Sequence, residues 1–480
     1  MEVLKRQLKI YRSDSVKHKG ILWTSEIRLS HRHKLNNGWN IYDIHSVITD
    51  IGEGDRLITN NNQVLHITGN MVKTKGLLNE IEVVRCEDSK DYSIARLERG
   101  IKTVHESTNV IVKKLLMKGI PTVIKQPENE LPIFHKNQIF GIEGCPGGGK
   151  STKCSDIMHK FADKYKIFYF TPTHEQINNI SKKLVERNLR FTIMSDESKL
   201  QNDLTKFHTS NQKEYDRRKK NSVLKTTNIV LSTTNKPLQN LNRIGPCIVI
   251  IDEAGRVSLL EAMTAISDLK HMKFLLLAGD TKQLGCHTTG HKHMLSVLEH
   301  IHTCPAHIWK VRGQYRFDST LNYIISTAFY ESEMSSLKRI GSQCALVVLE
   351  NCEHTLESNS CAVEARICDE IANISSIEPT TIITPYKAQQ LELRKLNRQS
   401  ITIDMAQGCE YSRVILSLGR TKGKGFLTNR RINVGMSRAR NTLIIVTHQK
   451  VISDIAILRM LHRVATINEC LFSLRLNIEK

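Results

Sequence analysis

Long apolar segments are missing from this sequence of 480 residues. No run of about 18 apolar residues occurs, so the sequence predicts no span across a membrane. The first residues, MEVLKRQLKIYRSD, also lack the apolar core of a secretory signal. These absences exclude the membrane and secretory classes from our interpretation, and we expect the cytoplasm or the nucleus.

The cysteines lack the spacing that a disulfide framework or a zinc module would need. Twelve are present without any CxxC pair, which fits free thiols in a reducing compartment. Cysteines and histidines crowd between Cys286 and His307, but their spacing matches no known zinc module. We therefore expect a polar surface there, with metal binding as the less favoured alternative.

Aromatic and acidic residues are both scarce. Phe, Trp and Tyr make up 5% of the chain, and 48 acidic residues face 69 Lys and Arg, which gives a net charge of +21. Such a charge indicates a polyanionic partner, and nucleic acid is favoured over a membrane surface. The alternative explanation is that the charge only reflects a generally basic proteome. Because few rings are available for stacking, we expect contacts with backbone phosphates and little sequence preference.

The first part of the chain contains short β-type segments separated by Gly, Asn or Lys clusters. Segments such as GILWTSEIRLS and DRLITNNNQVLHIT, within residues 1–100, have the length and spacing of strands in a small barrel or open sheet. Residues 101–135 follow as a helix and a proline-containing linker. We predict a β-rich accessory domain followed by a stalk.

From residue 136 the pattern changes to short apolar runs, such as KIFYF, CIVIIDE and FLLLAGD, between helical or polar stretches. This alternation is typical of a parallel sheet covered by helices on both faces. The runs form two sets, which predict one α/β domain at 136–305 and a second at 306–450. We also expect a basic helical excursion at 205–225 and a helical tail at 451–480.

A glycine-rich loop lies between a predicted strand and a predicted helix. GCPGGGKS fits the pattern G-x-x-x-x-G-K-[ST], in which backbone N–H groups and a helix N-terminus cradle phosphates. The lysine is expected to reach the β- and γ-phosphates, and the serine hydroxyl to hold Mg²⁺. The predicted nucleotide-binding residues are Gly144, Pro146, Gly147, Gly148, Gly149, Lys150 and Ser151.

Two carboxylates follow a buried strand about 100 residues later, in CIVIIDEAGRV. Asp252 is expected to bind Mg²⁺ together with Ser151, and Glu253 to polarise the attacking water as general base. The segment NKPL at 235–238 lacks the aspartate of a guanine-reading N-K-x-D motif. The pair therefore predicts a magnesium-dependent NTPase other than a GTPase.

The ordered set of motifs over roughly 136–450 resembles the superfamily 1 helicases, in particular the up-frameshift-like branch that includes the nidovirus replicase helicases. The resemblance implies two tandem RecA-like parallel-sheet domains with a small β-rich N-terminal accessory domain, an α/β protein overall. It also implies ATP and Mg²⁺ as cofactors and movement from 5′ to 3′ on nucleic acid.

The resemblance assigns further residues to the nucleotide. LAGDTKQLG is similar to the family's GDxxQL box, which makes Gln283 the γ-phosphate sensor. GQYRF resembles the QYRM box, which places Tyr315 against the base and Arg316 on the γ-phosphate. By the same resemblance Glu410 faces the ribose, and Arg438 in RRINVGMSRARN is a second arginine finger.

Four other segments resemble the family's nucleic-acid-contacting motifs: FTPTHEQ, NIVLSTT, ITPYKAQ and AQGCEYSRVILS. They imply contacts from Thr171, Pro172, Thr173, Ser232, Thr233, Thr384, Pro385, Tyr386, Gln389 and Gln407. Gln126 has the spacing of the family's adenine-reading glutamine, although Pro127 and Pro132 interrupt the helix expected there.

We therefore expect an ATP-hydrolysing helicase or translocase on single-stranded or tailed nucleic acid, with DNA and RNA both open. It would be a monomeric motor that a replication or RNA-processing complex could recruit. The compact size would suit a virus-encoded protein that acts inside a host cell. The alternative is an ATP-gated nucleic-acid clamp or remodelling ATPase that does not unwind duplexes.

Overall fold

The protein is described by a computed structural model. The described residues are 1–8, 24–34, 40–44, 56–59, 64–68, 71–74, 77–79, 81–87, 97, 100–125, 127, 130–195, 197, 200–209, 227–235, 244–286, 294–338, 343–350, 360–374, 379–421, 423, 425–467 and 469–475.

The N-terminal strands form a closed antiparallel barrel with the order β1-β2-β5-β4-β3-β6. Leu29, Tyr42, Leu65 and Val72 are buried in it. The sequence predicted a barrel or an open sheet, and the closed form leaves no free strand edge. The strands are β1 Thr24–Lys34, β2 Asn40–Ile44, β3 Arg56–Thr59, β4 Val64–Thr68, β5 Met71–Thr74 and β6 Ile81–Glu87.

The first α/β domain is built on an eight-stranded sheet with the order β10-β11-β9-β12-β13-β8-β14-β7. All its pairings are parallel, and the central strands are buried along their length. The strands are β7 Thr122–Ile124, β8 Gln138–Gly144, β9 Lys166–Thr171, β10 Phe191–Ile193, β11 Ile229–Thr233, β12 Cys247–Ile251, β13 Met272–Gly279 and β14 His307–Val311.

Five helices accompany this sheet in the described residues: α1 Val110–Leu116, α2 Lys150–Phe161, α3 His174–Glu186, α4 Leu259–Ile266 and α5 Val297–His300. Side chains from α2 and α3 join those of the strands in one apolar core.

The second α/β domain has a six-stranded parallel sheet with the order β19-β18-β20-β21-β17-β22. Its strands are β17 Gln343–Glu350, β18 Thr380–Thr384, β19 Ser400–Thr402, β20 Tyr411–Ser417, β21 Ala439–His448 and β22 Leu471–Arg475. A separate two-stranded ribbon joins β15 Gly313–Gln314 to β16 Ser335–Ser336. The helices are α6 Ser319–Phe329, α7 Ala362–Asn373, α8 Lys387–Lys395, α9 Ile403–Ala406, α10 Asn429–Met436, α11 Gln449–Asp454 and α12 Ala456–Ile467.

The sheets extend beyond the boundaries predicted from sequence. β14 lies after the expected boundary at 305, yet it pairs with β8 and β7 in the first sheet. The expected linker contributes β7, and the expected helical tail ends in β22, which pairs with β17. Edge strands of a parallel sheet gain backbone hydrogen bonds from any extended segment that reaches them, and such pairing is not visible in local patterns.

Some predictions lie outside the described residues, namely Gln126 and most of the basic excursion, residues 210–226. A 3₁₀ helix at Asn202–Phe207 overlaps only its first three residues, 205–207. Within the described ranges, no helix combines the length and the apolar character that a membrane crossing requires.

Candidate nucleotide site

The glycine-rich loop connects the end of β8 to the start of α2, as the sequence predicted. Gly147 and Gly149 both have a φ of 72°, a left-handed conformation that favours glycine. A Cβ at Gly147 would lie 2.6 Å from the Cβ of Arg316, so the close approach of the loop to this arginine requires glycine. The backbone N–H groups of such a loop, together with the N-terminus of the helix that follows it, are the groups that bind phosphate.

The lysine of the loop is held against the loop backbone. Lys150 Nζ donates to the carbonyl oxygens of Gly144 at 2.8 Å and of Cys145 at 2.9 Å. These bonds keep the ammonium folded over the loop. A phosphate oxygen in the loop would meet a positive charge that is already in place.

Two hydroxyls converge on one carboxylate oxygen of Asp252. Ser151 Oγ and Tyr169 OH each donate to Asp252 Oδ2 at 2.7 Å. Burial raises the pKa of Asp252, and the neighbouring Glu253 carboxylate raises it further. Oxygen ligands of this kind suit Mg²⁺, so Ser151 and Asp252 could hold the ion beside the loop, and its charge would offset the cost of burying the carboxylate.

Glu253 has a strained backbone at the place where the sequence predicted the general base. Its φ is 52°, a left-handed conformation that is uncommon for a residue other than glycine. Its carboxylate accepts a bond of 3.1 Å from Gln407 Nε2 of the second domain. Local strain of this kind concentrates at functional sites, where the surrounding structure maintains it.

Two arginines of the second domain are buried beside each other. Arg438 donates to the carbonyl oxygens of Val434 and Cys409 at 3.0 and 3.1 Å, and Arg316 donates to the carbonyl oxygen of Ser437 at 2.5 Å. Burial and the nearby Arg316 charge lower the pKa of Arg438 to about 9. Burial, with Arg440 as a further cause, lowers that of Arg316 to about 10. Crowded, desolvated cations of this kind favour an anionic ligand.

These groups line one cavity of about 1280 Å³. The predicted nucleotide-site residues that it brings together are Pro146, Gly147, Gly148, Gly149, Lys150, Ser151, Asp252, Glu253, Gln283, Tyr315, Arg316, Glu410 and Arg438. Gly144 lines a different cavity of about 410 Å³. Glu410 forms ion pairs with Arg316, at 3.0 Å, and with Arg440.

The GDTKQ segment, which contains the expected phosphate sensor Gln283, contacts Arg438 and other residues of the second domain. Gln283 Oε1 lies 3.4 Å from the nearest guanidinium nitrogen of Arg438. Tyr330 OH donates to Asp280 Oδ2 at 2.7 Å, and Asn433 Nδ2 donates to the carbonyl oxygen of Lys282 at 2.9 Å. The GDTKQ segment is thus bonded to the second domain at these points and by an ion pair of Lys282 with Glu331 at 3.3 Å.

The residues expected to contact nucleic acid follow the carboxyl ends of parallel strands. Thr171 ends β9, Ser232 and Thr233 end β11, and Thr384 ends β18. Thr173 caps α3 and Pro172 precedes it, while Pro385 and Tyr386 precede α8. The carboxyl edge of such a sheet is where open α/β proteins bind ligands.

Most of these side chains are turned inward. Those of Thr171, Ser232, Thr384 and Gln389 have no exposed surface. Thr171 donates to Gln176, and Ser232 Oγ donates to the carbonyl oxygen of Met194 at 2.7 Å. Their roles on nucleic acid stay predictions, with backbone groups or a local rearrangement as the means of contact.

Three side chains in or beside the cavity were not among the nucleotide-site residues predicted from the sequence. Tyr169 was taken only as part of an apolar strand, and Gln407 was assigned to nucleic acid although it bonds Glu253. Lys338 Nζ donates to the carbonyl oxygens of Arg316 and Arg440 at 3.1 and 3.0 Å. The isolated hydroxyl within KIFYF is the only sequence signal that points to any of them.

The histidine- and cysteine-rich stretch does not gather into a metal site in the part that the structure describes. Among described residues no group of three or more His, Cys, Asp or Glu could hold an ion. His302 lies 3.4 Å from Glu143, and His300 contacts the carbonyl oxygen of Leu115 at 2.6 Å. His287, His291 and His293 lie outside the described residues.

The chain is similar to two family models and to several known proteins. Two family models, each described as an AAA domain, match residues 189–288 and 350–450. Regulator of nonsense transcripts 1 of Dictyostelium discoideum is 30% identical over 251 residues, 43% of this chain and 19% of that protein. Replicase polyprotein 1ab of Alphamesonivirus 1 is 25% identical over 343 residues, 63% of this chain and 7% of the polyprotein.

An uncharacterized ATP-dependent helicase of Methanocaldococcus jannaschii is 37% identical over 83 residues, 16% of this chain and 12% of that protein. The chain thus spans less than a fifth of the length of each of these curated relatives. The solved structure of arterivirus nonstructural protein 10 (helicase) aligns with 88% of this chain and 76% of its own chain. The sequence identity is 14% and the TM-score is 0.45.

The loop, the carboxylate pair and the parallel sheets define a P-loop NTPase with two RecA-like domains. The family models and the sequence relatives agree with the resemblance of the chain to superfamily 1 helicases of the up-frameshift-like branch, to which nidovirus helicases are related.

Proposed function

We propose that this protein is an ATP-dependent nucleic-acid helicase or translocase that moves from 5′ to 3′. One observation carries the proposal. Lys150 and Glu253 of the first domain line the same cavity as Arg316 and Arg438 of the second. Phosphoryl transfer requires mainly positioned positive charge and an oriented nucleophile, and this cavity provides both.

Each residue then has a distinct task in ATP hydrolysis. Lys150 binds the β- and γ-phosphates, and Ser151 and Asp252 would hold Mg²⁺, which supplies charge neutralisation between those phosphates. Glu253 orients the attacking water and accepts its proton. Arg316 and Arg438 stabilise the charge that develops on the γ-phosphoryl group.

Coupling to movement would run through the contacts between the two domains. Gln283 contacts Arg438, and the same segment bonds Tyr330 and Asn433 of the second domain. Binding of ATP would draw the arginines in and close the cleft, and hydrolysis would release it. When the cleft closes and opens in turn, one domain moves relative to the other along the nucleic-acid strand.

The partner would be single-stranded or tailed nucleic acid. The net charge of +21 favours a polyanion, and the carboxyl edges of both sheets carry the residues expected to bind it. A monomeric motor in the cytoplasm or nucleus, recruited to a replication or RNA-processing complex, is the simplest setting, and a viral origin is compatible with it. The rate of ATP hydrolysis would be measured with DNA and RNA oligonucleotides of the same sequence. The oligonucleotide that stimulates hydrolysis more would show whether DNA or RNA is preferred.

Replacement of Lys150 by alanine is expected to abolish strand displacement, because the γ-phosphate loses its direct cation. A labelled duplex with a 5′ single-stranded tail, and its 3′-tailed counterpart, would be incubated with ATP. The matched control is Lys160→Ala, an exposed lysine near the end of the same helix, which should displace like the unchanged protein. ATP hydrolysis without displacement on either tail would support the clamp instead.

Binding of a single strand should weaken steeply with salt. Each phosphate neutralised by Lys or Arg contributes a slope of about −0.7 in log affinity against log salt concentration on single strands. Fluorescence anisotropy of a labelled oligonucleotide between low and moderate salt would measure the slope. An affinity that does not respond to salt would contradict a basic binding track.

A further inference from the structure

Tyr169 is a polar side chain within an otherwise apolar strand, and its hydroxyl reaches the metal side of the site. It lies in the middle of β9 and is 1% exposed. β9 runs parallel to β12 with Tyr169 beside Ile250, two residues before Asp252. Because side chains alternate across a sheet, Ile250 and Asp252 lie on one face, and Tyr169 OH reaches Asp252 Oδ2 at 2.7 Å.

The neighbours of Tyr169 on β9 do not share this role. Phe168 and Phe170 lie on the other face, where their rings stack at a centroid distance of 6.3 Å. The ring of Tyr169 belongs to the apolar core that also contains Ile142 and Cys154. Only the hydroxyl is directed at the site, so an apolar residue of similar volume would satisfy the core without it.

The two hydroxyls on Asp252 Oδ2 are not equivalent. Ser151 Oγ, at 2.7 Å, is also the group expected to hold Mg²⁺. Coordination of Mg²⁺ would use a lone pair of Ser151 Oγ and tie that hydroxyl to the ion, whereas Tyr169 OH bonds the carboxylate oxygen itself. The backbone N–H of Glu253 bonds the other oxygen, Oδ1, at 2.9 Å. One donor on each oxygen fixes the plane of the carboxylate.

We propose that Tyr169 is a positioning residue that orients the Asp252 carboxylate toward the Mg²⁺ of bound nucleotide, an inference that rests on the proposed ATPase function. Partners that orient the ligands of a metal in this way typically contribute 10- to 100-fold to metal affinity or activity. The Tyr169 hydroxyl contributes through Asp252 and does not touch the nucleotide.

The test is Tyr169→Phe, which removes one oxygen atom and leaves the ring in the core. Tyr165→Phe is the matched control, because Tyr165 is half-buried in the same domain and packs against Phe161. The affinity for a fluorescent non-hydrolysable ATP analogue would be measured in EDTA and over a range of MgCl₂ concentrations. The concentration of MgCl₂ that gives half-maximal ATP hydrolysis would be measured in parallel.

For Tyr169→Phe, the MgCl₂ concentration needed for half-maximal analogue binding should rise about tenfold or more, with the affinity in EDTA unchanged. Tyr165→Phe should match the unchanged protein in both. An equal loss of affinity with and without MgCl₂, or a shift below twofold, overturns the inference. If the unchanged protein binds no nucleotide in either condition, the proposed function itself fails, which is a distinguishable result.

Discussion

Replacing Arg438 with alanine lowers the rate of ATP hydrolysis by about 10³- to 10⁵-fold, the contribution expected of an arginine finger. Arg438 is 2% exposed, and its guanidinium is held by the carbonyl oxygens of Val434 in α10 and of Cys409, and by the Gln283 side chain across the cleft. Burial and Arg316 lower its pKa to about 9, so the free site maintains an unfavourable concentration of positive charge. The negatively charged γ-phosphoryl group in the transition state relieves this crowding of positive charge.

The effect should fall on turnover and spare nucleotide binding. Steady-state hydrolysis with saturating nucleic acid gives kcat, and titration of a fluorescent ATP analogue gives Kd. Arg438→Lys should be nearly as slow as the alanine variant, because an ammonium cannot donate two parallel bonds to a phosphate. Arg463→Ala, an exposed arginine on α12, is the matched control. A loss of less than about tenfold in kcat for Arg438→Ala would exclude a finger role.

Replacing Glu364 with alanine destabilises the second domain by about 3–5 kcal/mol, the usual cost of leaving one charge of a buried pair without its partner. The Glu364 carboxylate is fully buried and lies 3.2 Å from His448 Nε2. It also accepts bonds from Ser417 Oγ at 2.6 Å and from the Gly419 N–H at 2.8 Å. Chemical denaturation followed by far-UV circular dichroism measures the loss. A change below about 1 kcal/mol would show that the pair is not needed for stability.

The same pair predicts how stability depends on pH. Burial by itself lowers the pKa of His448, but bonds to Cys361 and Glu364 outweigh it and raise the pKa to about 9. A pKa that is raised on folding stabilises the protein fully below the unfolded value of about 6.5, and this contribution, about 3 kcal/mol, is lost as the pH rises through 9.

The pH dependence can be separated from other titrations by comparing variants. The difference in unfolding free energy between the unchanged protein and His448→Gln should be largest near pH 6 and shrink toward pH 9.5. His462→Gln, at a partly exposed position on α12, should show no such trend. A difference that is constant with pH would mean that folding does not shift the pKa of His448.

The buried pair of Glu364 and His448 is linked through Ser417 to the carboxyl edge of the second sheet, where nucleic acid is expected to bind. Gln389 Nε2 donates to Ser417 Oγ at 3.1 Å, and its Oε1 accepts from the Cys361 N–H at 2.7 Å. The segment ITPYKAQ is thereby bonded to the ends of α7 and β20. The sequence resemblance assigned Gln389 to nucleic acid, whereas its contacts in the structure are internal, which favours a role in shaping this edge.

The nucleotide-binding loop was predictable in detail because its chemistry is local. Gly147 and Gly149 adopt the left-handed backbone that glycine allows, and Lys150 and Ser151 start the helix that the spacing predicts. The two parallel sheets were predictable for a similar reason, since short apolar runs between helices have few other arrangements. The roles of Arg316 and Arg438 needed the resemblance to known helicases, because an arginine in a sequence does not indicate which anion it meets.

By itself, then, the sequence determined a P-loop NTPase with two α/β domains, since glycines, apolar periodicity and neighbouring carboxylates act over a few residues. Only the tertiary structure decided which side chains share the cavity. It placed Tyr169 on Asp252, Gln407 on Glu253 and Gln283 beside Arg438. These contacts join segments 83 to 155 residues apart. Sheet register and domain packing set such distances, and no local pattern carries that information.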